Sequence, residues 1–130
     1  MKPEQYIKEA LRTESYDLEG ISERLKEIRT IRLVHASEGM QTESAEFTDA
    51  LKKYLFYGKE IDIENLHEEL GDLLWYIAIV CDELNVTIEQ LMSLNIKKLK
   101  ARYPVKFTNE QALNRDLEQE HNILSSNGFK

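Results

Sequence analysis

Apolar residues recur along this chain at three- and four-residue intervals, and no stretch alternates with the period of two that a strand needs. The pattern predicts an all-α protein. A first helix is expected over Pro3 to Leu11, with proline tolerated in its first turn. Thr13 to Gly20 reads as a connection. A long helical stretch follows from about Ser22, a candidate N-cap, to about Tyr57. Gly39 is a point where it could bend or divide, and Gly58 is its stop signal. A further helix is expected from Asp62 or Ile63 to about Leu84, followed by a tight link through Asn85 and Val86. Thr87 and Gln90 then match a capping box at the head of a fourth helix, which Pro104 ends near Arg102 or Tyr103. Thr108 or Asn109 caps a last helix reaching about Leu124, and the tail from Ser125 is expected to fray. No internal repeat or long linker divides the chain. Residues 1–130 are therefore expected to form one domain, a four-helix-bundle core with short extra terminal helices.

The helix beginning near Asp62 carries two apolar faces. Leu66, Leu70, Leu73, Ile77, Val80, Cys81 and Leu84 make one stripe, and Trp75 and Ile79 lie nearly opposite. A helix apolar on both faces is buried on both. In a chain with so few helices the second face is expected to meet another subunit, giving a homodimer or homotetramer; the alternative is that a terminal helix covers it.

Between these faces runs a polar strip of Glu69, Asp72 and Tyr76. The two acids are three apart, hence neighbours on the helix surface, and their i+4 positions hold Leu73 and Tyr76 rather than lysines. The preceding long helix repeats the device with Glu43 and Glu46, and carries His35, Gly39, Ala50 and Lys53 on the same side. Small residues at 39 and 50 are expected to leave room beside the acids. Gly58 turns the chain between the pairs, so two antiparallel helices can bring them face to face. At ~5 Å, two unit charges at an effective dielectric of 20 repel by roughly 3 kcal/mol, which calls for protonation or a divalent cation. Carboxylate oxygens suit hard ions, Mg²⁺ first and Mn²⁺ second. No His or Cys pair is placed for zinc, and neither acid pair has the Glu-x-x-His of di-iron bundles.

Composition narrows the function classes. The net charge is −7 at a pI near 5.0, so a nucleic-acid polymer is not the expected partner. A phosphate ligand remains open if a metal supplies the positive charge. The one cysteine, Cys81, excludes an intrachain disulfide and sits in an apolar run as a small core residue. The longest apolar run, Leu73 to Cys81, is too short to span a bilayer, and the first ten residues lack the apolar centre of a signal peptide. A soluble, cytoplasmic protein with no membrane partner is the expectation. On the fourth helix Asn95, Lys98 and Arg102 share a stripe that could hold phosphate oxygens, although cations also suit a helix C-terminus.

These residues resemble a known family. The run His35-Ala-Ser-Glu-Gly-Met-Gln-Thr-Glu43-Ser-Ala-Glu46-Phe, with Glu68-Glu69-Leu-Gly-Asp72-Leu-Leu-Trp75-Tyr76, is similar to the ExxE, spacer and ExxD of MazG-type nucleoside triphosphate pyrophosphohydrolases. The segment Asn95-Ile-Lys-Lys98-Leu-Lys-Ala-Arg102-Tyr-Pro is similar to the family's N-x-x-K-L-x-x-R-Y-P. The resemblance runs from about Ile28 to Asn114. It implies an all-α, oligomeric enzyme that uses Mg²⁺ to hydrolyse (deoxy)nucleoside triphosphates to monophosphate and pyrophosphate in nucleotide-pool housekeeping. It implies Glu43, Glu46, Glu69 and Asp72 as metal ligands, with Glu43 or Glu46 also the general base. It further implies Lys98 and Arg102 at the phosphate tail and Asn95 positioning the nucleotide. His35, Trp75, Tyr76, Tyr57 and Phe56 are candidates for stacking on the base, although each could equally be packing or interface. No P-loop is present for a Walker-type transfer. Two other readings stay open: a helical nucleotide- or protein-binding module without turnover, and phosphoribosyl-ATP pyrophosphohydrolase-like hydrolysis.

Overall fold

The computed structural model describes residues 1–125, and all regular structure among them is helical. The all-α class and the helix-bundle core expected from the sequence both stand. Helix α1 spans Pro3–Leu11, has Pro in its first turn and buries none of its residues. Helix α2 spans Leu18–Leu25, where the sequence suggested a connection and then the start of a longer helix. Its cap is Asp17, whose carboxylate accepts the Gly20 amide at 3.1 Å, so Ser22 lies inside the helix rather than at its head. The chain then breaks at Lys26 and Glu27 without any Gly or Pro to announce it, and Glu27 takes an extended conformation.

Helix α3, Ile28–Tyr57, is 30 residues long. It runs straight through Gly39, which neither ends nor divides it. Gly58 stops it with φ 64°, the left-handed region that a residue without Cβ enters at little cost. Helix α4 spans Ile63–Glu83, and Asp62 caps it by accepting the Asn65 amide at 3.0 Å. The two helices pack antiparallel, in a register that sets 32 against 83, 39 against 76, and 43 against 72. Arg32 locks one end of this hairpin, donating to Asp82 at 2.6 Å and to Glu83 at 2.7 Å.

The seam between them differs from the expected stripe. Leu66 and Cys81 are buried in it, with Leu73, Ile77 and Val80 partly covered. Leu70 is 48% exposed and Leu84 41%, whereas Glu69 is only 3% exposed. The packed face of α4 is thus rotated towards Glu69 and Tyr76. The reason lies on α3, whose contact face carries Ala36, Gly39 and Ala50, small residues that admit a large ring and a carboxylate.

Asn85, at φ 52°, makes the turn to α5 (Ile88–Arg102), asparagine being one of the few residues to tolerate that region. Both halves of the Thr87–Gln90 capping box form, at 2.8 and 3.1 Å. The expected last helix is two: α6 (Asn109–Leu113), capped by Thr108, and α7 (Leu117–Ser125), where Asp116 accepts the Gln119 amide at 2.9 Å. Helix α7 packs on α5, and α2 lies along α3. The tail expected to fray lies, from residue 126, outside the described residues. No helix among them is long and apolar enough to cross a membrane.

Candidate metal centre

The α3–α4 register carries Glu43 from one helix onto Glu69 and Asp72 from the other. One carboxylate oxygen from each lies within 4.8 Å of the others. Glu69 is buried, Glu43 half-buried and Asp72 exposed, so the trio forms a shallow acidic step that begins in the helix seam and ends in solvent. Glu69 is held from its own helix: the Asn65 side-chain amide, one turn earlier, donates to Oε1 at 2.6 Å. Thr42 Oγ1 lies 3.3 Å from Glu43 Oε1 and donates to the Gly39 carbonyl at 2.8 Å. None of the three acids makes an ion pair with a Lys or Arg among the described residues.

This donor set fits a hard divalent ion. It offers carboxylate oxygen alone, from residues on two separate helices. Two ligands on opposite sides of Mg²⁺ stand about 4.2 Å apart and adjacent ones about 3 Å, so a trio within 4.8 Å needs only small side-chain adjustments to close on one. Glu46, the fourth acid of the sequence pattern, is one turn further along α3, exposed and outside this group. Its surroundings include Lys53, whose pKa is raised chiefly by its hydrogen bond to Asp49 and more weakly by Asp62 and Glu46.

Beside the acids sits an aromatic cluster. The Tyr76 ring lies directly over Gly39, so close that a Cβ there would stand 2.1 Å from it. The space expected beside Gly39 is therefore filled by this ring. His35, one turn before Gly39, meets Tyr76 edge-on at 5.6 Å and Trp75 at 6.2 Å, and the Trp75 and Tyr76 rings are 4.7 Å apart. Trp75 keeps 54% of its surface exposed. Phe56 and Tyr57 are exposed at the far end of α3 and belong to no such cluster.

The cationic stripe is placed differently. Asn95, Lys98 and Arg102 lie on α5, whose main packing is with α7. Asn95 is exposed and Lys98 partly covered. Arg102 is committed to Glu120 of α7, with Nε 2.8 Å from Oε1 and Nη2 on Oε2. Arg115 reaches the same carboxylate, with Nη2 at 2.7 Å from Oε2 and Nε at 3.3 Å from Oε1. Hydrogen bonds from the two guanidiniums hold the Glu120 carboxyl down at about 2. Sequence reasoning did not find Asn65, Arg115 or Glu120. Asn65 was detectable as the i−4 neighbour of Glu69; the other two are joined to Arg102 only by the fold.

Comparison with known proteins places the chain in a family. The MazG nucleotide pyrophosphohydrolase domain model matches residues 35–107, which hold His35, the three clustered acids, the aromatic pair and the α5 stripe. The "Gene 37 protein" of Mycobacterium phage L5 is 28% identical over 74 residues, covering 54% of this chain and 65% of the phage protein. The match thus spans less than two thirds of that relative's length. No solved structure matches. With more than half its length matched, the chain belongs to the MazG nucleotide pyrophosphohydrolase domain family.

Proposed function

We propose that this protein hydrolyses (deoxy)nucleoside triphosphates to nucleoside monophosphate and pyrophosphate, with Mg²⁺ as its ion and Mn²⁺ as a substitute. The observation that carries the reading is the convergence of Glu43, Glu69 and Asp72 within 4.8 Å, from two helices, with no Lys or Arg among the described residues in an ion pair with them. Three carboxylates pressed together call for a bound ion, and a phosphoanhydride hydrolase needs such an ion against its polyanionic substrate. When bound, the ion supplies charge compensation and polarises the α-phosphorus. The carboxylates hold it, and the Asn65 amide keeps Glu69 turned towards the site. Glu43 or Glu46 takes the proton of the attacking water. Lys98 and Arg102 stabilise the departing pyrophosphate, and Asn95 positions the nucleotide. His35, Trp75 and Tyr76 offer ring edges and one exposed face to the base.

The monomer buries few large apolar side chains, and Leu70 and Leu74 stand exposed on α4, as does Trp75 further round the helix. Exposed apolar surface of this kind supports a homodimer or homotetramer as the working unit. Its mass in light scattering tests this.

The functional test is product analysis over a panel of NTPs and dNTPs, with and without Mg²⁺. Ion-dependent monophosphate plus pyrophosphate is the expected result, and the panel identifies the base. Orthophosphate as the first product, or no turnover on any nucleotide including phosphoribosyl-ATP, overturns the reading.

A further inference from the structure

Glu120 is the only buried residue of α7, and it is an acid. Of the apolar side chains of that helix, Leu117 is 62% exposed and Leu124 40%, while Ile123 is partly covered. The buried tie between α7 and α5 is a carboxylate gripped by the guanidiniums of Arg102 and Arg115. Each arginine presents Nε and Nη2 to the two oxygens, the side-on fork that also matches adjacent phosphate oxygens. A cavity of about 130 Å³ opens against this cluster between α5, α6 and α7. Its walls include the side chains of Gln111, Asn114, Gln119 and Asp116 beside the two arginines. Arg115 and Glu120 both lie beyond residue 107, outside the stretch matched by the family model.

We infer that Arg102 and Arg115 form a polyphosphate-binding site that Glu120 occupies from within, so that α7 is a latch which the phosphate tail of a nucleotide, or released pyrophosphate, displaces. The nature of the displacing anion rests on the function proposed above. The physical basis is exchange of like for like. A carboxylate brings one charge and two oxygens to the arginines, and a pyrophosphate brings more of both. An apolar contact does not respond to an anion, whereas an ion-paired acid does. Displacement removes the buried side chain of α7 from its partners and so loosens the helix.

The test uses the full chain in EDTA, so that the acidic centre and its ion take no part. Amide hydrogen exchange of residues 117–125 is followed as inorganic pyrophosphate or tripolyphosphate is added, against sodium chloride at matched ionic strength. Faster exchange in α7 with the polyphosphates and not with chloride is expected. Unchanged exchange, or equal acceleration by chloride, overturns the latch. A second measurement compares tripolyphosphate binding by calorimetry. Glu120→Gln should bind at least about tenfold tighter, because the native affinity is reduced by the fraction of molecules in which the site is self-occupied. A variant that binds no tighter also overturns it. The two proposals fail separately. If polyphosphate releases α7 but no nucleotide is hydrolysed, the enzymatic reading falls and the anion latch stands. If nucleotides are hydrolysed while α7 never responds, Glu120 is a structural ion-pair partner.

Discussion

Gly39 and Gly71 are both helix-interior glycines, yet alanine should act on them in opposite directions. At Gly71 an added Cβ meets nothing within 4 Å. Only backbone entropy changes there, and Gly71→Ala should stabilise by about 1 kcal/mol. At Gly39 the same methyl would sit 2.1, 2.2 and 2.5 Å from the Cζ, Cε1 and Cε2 atoms of Tyr76. Ordinary contact begins at 3.4 Å, so the ring must retreat by about 1.3 Å. Trp75 at 4.7 Å and His35 at 5.6 Å flank the ring and oppose that movement. Overpacking of this kind costs about 1–3 kcal/mol. Set against the same gain in propensity, Gly39→Ala should lie between neutral and about 2 kcal/mol destabilised. The two variants should therefore differ by about 1–3 kcal/mol, which for a chain of this size is about 4–12 °C in Tm. Circular dichroism melts at one protein concentration measure the gap. In a Tyr76→Ala background the ring is gone, and Gly39→Ala should become stabilising. Equal shifts for the two alanines in the native background would show that α3 and α4 do not approach each other in this register.

Other consequences are more easily stated. Glu43→Gln should keep the helical spectrum and lose most nucleotide turnover; full activity in that variant would refute the assignment of the centre. The same substitution removes one of three crowded charges, so it should raise Tm without metal while abolishing the increase expected when Mg²⁺ is added to the native protein, about 2.7 kcal/mol at a hundredfold excess over Kd. Glu120 has a folded pKa of about 2 against 4.5 when unpaired. Its contribution to stability is therefore complete above pH 4.5 and lost as pH falls towards 2. In urea titrations across that range the native protein should lose its advantage over Glu120→Gln, and a constant difference would contradict the ion-pair account. Thr87→Ala deletes one half of a formed capping box and should cost about 1 kcal/mol, seen as a lower urea midpoint.

Much of this protein was legible in its residue order because the signals are local. A stop at Gly58, the start of α4 beside Asp62, the Thr87 box and the barrier at Pro104 each depend on a few neighbouring residues, and each appears where the chain predicts it. The ExxE and ExxD spacings likewise place acids on one side of their own helices, which is a property of helical period alone. Breaks without punctuation were not legible. The interruption at Lys26 and Glu27 involves no Gly or Pro, and α6 and α7 separate at Asn114 to Asp116 where helix-compatible residues stand. At the second break Asp116 caps α7 by accepting the Gln119 amide, whereas at the first Glu27 makes no side-chain cap bond.

Which side chains meet across helices was decided by packing. Periodicity set Leu70 in the seam of α4 and Glu69 at its margin, but the small residues of α3 turn the helix so that Glu69 is enclosed and Leu70 stands out. That rotation is also what joins Glu43 to Glu69 and Asp72 while leaving Glu46 aside, since four residues with the same local signal differ only in what lies opposite them. The partnership of Arg102 with Glu120, 18 positions away, has no sequence signature at all. Residue order by itself determined the helices, their stops and the acidic chemistry available, because these follow from short-range geometry. The tertiary structure decided which acids share a site, because that depends on the volume of the facing residue, here the missing side chain of Gly39 and the ring that fills its place, and which arginine is occupied, because Glu120 reaches Arg102 only through the packing of α7 on α5.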